Sequence, residues 1–307
     1  MSWKPIIVGV DASQAAAAAA QVGSQIAAAA GTECRLVHAA RDNWSMLAAA
    51  QVPQQAGAFR DTALAAARTQ VTTALADRVP AETLRGLVVR EGWAPAVLDD
   101  VAREADASLV VLGAKHHTAL GRWLGGSTVH NVARMLRAPL LVVGSPQPTI
   151  RRILVPLDAS HAAQPTLDLA GRIADLFDAE LRVLHVIEPL PILPEVPPPT
   201  NPADYERLLT EECEQKIWPL VPADASRIIR HTAADAGIAA EATAWQADMV
   251  VVGSHGKGVV ERMLVGSVTE RLLGHLPAPM LLVVPVPRLA PTPHPATTSK
   301  LRMAGVV

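Results

Sequence analysis

Two groups of residues in this 307-residue chain combine types and spacings that could hold a small-molecule ligand. The first is Gly253-Ser254-His255-Gly256-Lys257-Gly258, followed by Gly266-Ser267, so that the spacing reads G-x2-G-x9-G-S. Glycine allows positive φ and lets backbone approach a phosphate closely. A helix opening at Ser267 would add unpaired N–H groups, a favourable dipole and a hydroxyl. Lys257 and Arg262 could supply countercharge. The plainer alternative is a glycine turn with Ser267 as an ordinary helix N-cap. The second group is Asp11 and Asp158, each directly after an apolar run. There a carboxylate can accept hydrogen bonds from ribose hydroxyls or an adenine amino group, although for a single Asp a helix N-cap is the favoured reading. The glycine spacing matches neither the Walker loop nor the GxGxxG dinucleotide fingerprint.

The elements that must position these residues occur twice. IIVGVDAS at residues 6–13 is answered by ILVPLDAS at 153–160, and LVVLGAKH at 109–116 by MVVVGSHG at 249–256. GSTVHNVARMLRAPLLVV, from Gly126, is answered by GSVTERLLGHLPAPMLLVV, from Gly266. Internal self-similarity over such a length implies a duplicated unit. In the first copy short apolar runs at 6–10, 35–39, 84–89, 109–112 and 140–143 read as strands. An alanine-rich stretch after Asp11 and residues 58–78, 95–105 and 127–136 read as helices. Nearly continuous apolar strands separated by helices predict a parallel sheet covered on both faces. The expectation is an α/β protein of two tandem Rossmann-like domains, each with a five-stranded parallel sheet. The boundaries read from the sequence are 1–146 and 150–287, with 288–307 a disordered Pro- and Thr-rich tail.

Composition narrows the function classes. A net charge of −2, from 27 basic and 29 acidic residues interspersed along the chain, argues against nucleic acid or an anionic membrane as partner. No segment reaches the roughly 18 apolar residues of a membrane span and no signal-peptide core is present, so the expected location is the cytoplasm. Cys34 and Cys213 fall at non-equivalent places in the two copies and predict neither a disulfide nor a metal cluster. His116, His117 and His255 lack companions at a metal-ligand spacing. His38 and His185, equivalent in the repeats, read as backbone-bonding residues at the end of the second strand.

With the strand-end Asp, the G-x2-G-x9-G-S pattern, the APMLLVV ending and the strand order, the chain resembles the ATP-binding branch of the universal stress protein family over both halves. The resemblance implies ATP or a related adenine nucleotide as ligand, with Mg²⁺ only as ATP carries it. Pro156, Asp158 and Val186 would border adenine and ribose, and Gly253, Gly256, Gly266, Ser267 and Val268 would hold ribose and phosphates. In the first copy the matching residues are Gly9, Asp11, Ala39, Gly113, Gly126, Ser127 and Thr128, but His116 replaces the second motif glycine. The second site is therefore expected to be the better formed. Family members of single-domain size pair along the last strand, so the resemblance implies internal pairing of residues 140–143 with 281–284, and homodimers of the chain stay open. No nucleophile, general base or Walker-type magnesium ligand stands out. The expectation is regulation through nucleotide binding and an unidentified protein partner; slow ATP hydrolysis, or a structural module with one functional site, are the alternatives.

Overall fold

A computed structural model of the chain describes residues 2–40, 53–117, 122–124, 127–145, 149–189, 202–255 and 265–285. The first repeat runs β1 (Ile6–Gly9), α1 (Gln14–Ala30), β2 (Cys34–Ala40), α2 (Pro53–Leu75), α3 (Ala81–Arg85), β3 (Val88–Glu91), α4 (Ala94–Glu104) and β4 (Leu109–Gly113). It continues with β5 (Lys115–His117), β6 (Arg122–Leu124), α5 (Ser127–Met135) and β7 (Leu140–Val143). The second runs β8 (Arg152–Pro156), α6 (Ala163–Phe177), β9 (Glu180–Ile187), α7 (Pro202–Lys216), a 3₁₀ turn at Trp218–Leu220, and β10 (Ser226–His231). It ends with α8 (Ala234–Ala244), β11 (Met249–Gly253), α9 (Ser267–Gly274) and β12 (Met280–Val284).

Each repeat contributes five parallel strands, in the orders β3-β2-β1-β4-β7 and β10-β9-β8-β11-β12. Alternation along a strand explains the layers. Ile6 and Val8 join the core beneath α1, α2, α6 and α7, whereas Ile7 joins the opposite core beneath α4, α5, α8 and α9. The last strands of the two repeats then pair antiparallel, Met280 opposite Val143 through Val283 opposite Leu140, giving one ten-stranded sheet. This pairing covers the edge that each five-stranded unit would otherwise leave open. Trp3 stacks on the Arg172 guanidinium at 4.1 Å, and Arg134 pairs with Glu270, so side chains also tie the repeats together.

Several expectations change in detail. Neither strand-end Asp caps a helix: Ser13 caps α1, its hydroxyl accepting from the Ala16 N–H, while Asp11 accepts from the Ser13 N–H at 2.9 Å. Asp158 accepts from the Ser160 N–H at 3.1 Å in the same way. A side-chain-closed turn of this kind sets the chain's exit from the strand before helix geometry begins. Gly266, not Ser267, is the N-cap of α9. Residues 84–89, expected as one strand, divide between α3 and β3, because Pro80 starts a short helical turn that buries Leu84. In the first repeat, the segment that corresponds to the glycine-rich residues 253–266 of the second contains an antiparallel β5–β6 pair, with His116 opposite Trp123. The linker 146–148, the proline-rich stretch 190–201 and the tail from 286 lie outside the described residues.

Backbone conformation repeats where side chains do not. Gly31 (φ 62°) and Asp178 (φ 51°) both close the first helix of their repeat in the left-handed region. Asp106 (φ 48°) and Gln246 (φ 54°) do so ahead of the fourth strand.

Candidate functional site in the second repeat

From β8 the chain moves outward through β9 to β10, then returns to the other side of β8 to form β11 and β12. Crossovers diverging from β8 and β11 leave a crevice at the carboxyl ends of these strands, where open α/β sheets take ligands. A cleft of about 380 Å³ opens there, within the roughly 300–1,000 Å³ span of small-molecule sites.

The cleft collects seven of the sequence-derived residues. Pro156 and Asp158 come from the end of β8, Val186 from β9, Gly253 from β11, and Gly266, Ser267 and Val268 from the start of α9. Gly256 and Arg262, with Lys257, lie outside the described residues. A Cβ on Gly253 would stand 2.6 Å from the Ala162 Cβ, so only glycine lets β11 and the start of α6 meet this closely. The ends of the glycine segment are anchored: the Ser254 N–H donates to Val284 O at 2.7 Å and the Gly266 N–H to Ser254 O at 2.7 Å. The buried Thr269 hydroxyl donates to Gly253 O at 2.8 Å, holding α9 against the tip of β11. These bonds aim the first turn of α9, with its unpaired N–H groups and positive dipole end, at the cleft.

At the opposite end His185 is buried, and its Nδ1–H donates to Leu157 O at 2.8 Å. That bond fixes the turn carrying Asp158. The exposed Glu188 carboxylate accepts from the Ala234 N–H at 2.9 Å and caps the start of α8. At the glycine end the Ser254 hydroxyl lies 2.9 Å from His255 Nδ1. The cleft thus has an apolar middle, formed by Pro156, Leu184, Val186 and Ile238, an acidic rim at Asp158 and Glu188, and an anion-favouring helix start.

Lining residues that were not singled out from the sequence include Thr166 of α6, Tyr205 and Leu209 of α7, and Thr269 of α9. Tyr205 and Leu209 are one helical turn apart and therefore share a face; that spacing beside Pro202 was the available signal. The Thr166 Oγ1 atom is buried with no hydrogen-bond partner among the described residues. Among these residues no three His, Cys, Asp or Glu side chains cluster as metal ligands.

The first repeat keeps the scaffold and changes the lining. Gly9 and Gly113 end β1 and β4, Ala39 lies on β2, Asp11 is exposed, and Ser127 and Thr128 begin α5; Gly126 lies outside the described residues. His38 Nδ1–H donates to Val10 O at 2.7 Å, as His185 does to Leu157. A Cβ on Gly113 would stand 2.1 Å from Ala15 O, the counterpart of the Gly253–Ala162 contact. Where the second repeat has Pro156, Gly9 lies beneath the Leu112 side chain, whose Cδ2 is 2.4 Å from the position of a Cβ. Ala19 and Val129 occupy the places of Thr166 and Thr269. A cavity of about 80 Å³ in this repeat, lined by Ala12, Ser13, Gln14, Ala17, Ala74 and Arg78, touches none of the sequence-derived site residues.

Fold and cleft together define a tandem, doubly wound α/β protein with a switch-point crevice in its second repeat. The chain belongs to the universal stress protein family, whose model matches it twice, over residues 2–144 and 149–284. It is 28% identical over 298 residues to a universal stress protein of Mycolicibacterium smegmatis, covering 91% of this chain and 97% of that one. A universal stress protein of Methanocaldococcus jannaschii is 30% identical over 139 residues, 43% of this chain and 81% of its own. Among solved structures, a putative universal stress protein from Pseudomonas aeruginosa matches with a TM-score of 0.61 at 17% identity, over 92% of this chain and 94% of that one. No helix among the described residues is long and apolar enough to cross a membrane.

Proposed function

We propose that the second repeat binds an adenine nucleotide, ATP or a close relative, and that the protein acts in stress response through this occupancy rather than through rapid turnover. The observation that carries the reading is the convergence of Pro156, Asp158, Val186, Gly253, Gly266, Ser267 and Val268 on one cleft at the switch point. Base and ribose would lie over Pro156 and Val186, with the Asp158 carboxylate within reach of sugar hydroxyls. The phosphates would lie toward Gly253 and the start of α9, where N–H groups and the Ser267 hydroxyl can donate. When bound, the nucleotide brings its own charge and metal ion; the chain binds, orients and encloses it. Occupancy would change the surface that the rim of the cleft shows to a partner protein.

The test is mass spectrometry of the purified chain for carried nucleotide, followed by calorimetric titration with ATP. A stoichiometry near one per chain is expected, and absence of adenine-nucleotide binding would remove the proposal. His255, held by Ser254 at the phosphate end of the cleft, bears on the enzymatic alternative. Turnover at ordinary enzyme rates that disappears in His255→Ala would replace a binding role with hydrolysis.

A further inference from the structure

We infer that Tyr205 is the base-contacting residue of the second-repeat cleft, the aromatic wall that makes this site prefer nucleosides and nucleotides to bare phosphates; the inference rests on the nucleotide reading above. The registration of α7 against α2 shows what is particular to this repeat. Three buried pairs, Val71 with Cys213, Leu75 with Ile217 and Val79 with Val221, are each 142 positions apart and fill the same core. In that register Tyr205 stands where the first repeat has Ala63, and Leu209 where it has Ala67. All four positions are half-buried, so the two helices turn the same face toward their strand ends. One repeat presents a phenol ring and an isobutyl group on that face, and the other presents two methyl groups.

Position assigns the ring to the base end. Helix α7 follows β9 and packs against it, whereas the anion-favouring start of α9 lies beyond β11, on the other side of β8. Tyr205 therefore shares the cleft's β9 side with Val186 and Glu188, away from Ser267. Tyr205 is the chain's only tyrosine, and its ring is the only phenyl or indole group among the described residues that line the cleft. A half-buried aromatic ring that shares the cleft with Pro156 and Val186 can stack on a heterocyclic base. Such stacking tolerates different bases, because each has a π-face.

The experiment compares wild-type, Tyr205→Ala and Tyr205→Phe chains by calorimetric titration with ATP. It also follows the single ¹⁹F resonance of chain grown on 3-fluorotyrosine during titration with adenosine and with tripolyphosphate. Tyr205→Ala should weaken ATP about tenfold or more, and Tyr205→Phe should stay within about threefold of wild type, since the stacking face is kept. The fluorine line should shift with adenosine and stay in place with tripolyphosphate. If wild type binds ATP and Tyr205→Ala binds it within twofold, the base contact is overturned while the nucleotide site stands. A line that moves equally for both probes also overturns it, because the ring would then report the phosphate end or the fold. If wild type binds no nucleotide, both readings fall. Should Tyr205→Ala prove unfolded by circular dichroism, the phenylalanine variant and the fluorine shift still decide.

Discussion

The two repeats share a backbone and differ in what they place at the switch point. Gly113 and Gly253 make the same close approach to the first helix of their domains, and His38 and His185 make the same bond to the turn after the first strand. Yet the positions that line a cleft in the second repeat are smaller, more apolar or filled in the first: Gly9 under Leu112, Ala19 for Thr166, Ala63 for Tyr205 and Val129 for Thr269. Duplication preserved the contacts that hold strand to helix. The contacts that would hold a ligand diverged. Scaffold contacts are close-packed and intolerant of added volume, whereas cleft residues face open space and can change without disturbing the core.

Replacing Gly266 by Asp would break the comparison most directly. A carboxylate at the start of α9 opposes a bound anion and occupies its space, so nucleotide affinity should fall about a hundredfold. Calorimetry that instead returned undiminished affinity and unit stoichiometry would move the working site to the first repeat. The scaffold side predicts parity: Gly113→Ala and Gly253→Ala force a methyl into Ala15 or Ala162, and each should cost about 3 kcal/mol in urea unfolding. A large cost for one and none for the other would show that the two repeats do not share this packing.

A smaller effect separates the repeats by pH. In the second, buried Glu241 accepts from Arg182 and Arg230 at 2.7 and 2.5 Å, whereas in the first Arg90 pairs with exposed Glu104. Burial acts to raise the Glu241 pKa, but hydrogen bonds from Arg230 and Arg182 outweigh it and hold the carboxyl below its ordinary value. A depressed folded pKa gives stability that is complete above the unfolded-state value, about 4.3, and is lost as pH falls through the folded one. Glu241→Gln should therefore lower neutral-pH stability by about 2 kcal/mol and flatten the acid limb of the stability profile. An acid limb as steep as that of wild type would assign the pH response to other groups. The smallest change expected is a gain: Thr166→Val removes a buried, unpartnered hydroxyl and should raise stability by about 1 kcal/mol in the ligand-free chain. A loss of that size would mean the hydroxyl is satisfied in solution.

Much of the fold was legible because it depends on pattern. Apolar runs such as Ile6–Gly9 and Met249–Gly253 must be buried on both faces, and the repeat of DAS after the first strand and of GS before the last helix set the two domains in register. Less was legible where local chemistry competed. The Asp residues could be caps or turn-closing acceptors, and which of these they are depends on where helix geometry starts, three residues beyond Asp11 and five beyond Asp158. The β5–β6 pair lies in a segment that no strand reading covered, because strand pairing is set by a partner and not by composition.

By itself the sequence determined the duplication, the doubly wound class and seven of the residues now found around one cleft, since each follows from periodicity and from residues at strand ends. Tertiary structure fixed the antiparallel register of the last-strand pairing that the family resemblance implied, and it alone decided that α7 brings Tyr205 and Leu209 to a site formed by β8 and β11. Tyr205 lies nearly fifty positions from both Asp158 and Gly253. No spacing rule connects residues so distant; the shared sheet does, by fixing where every strand ends and so which helices can overhang it.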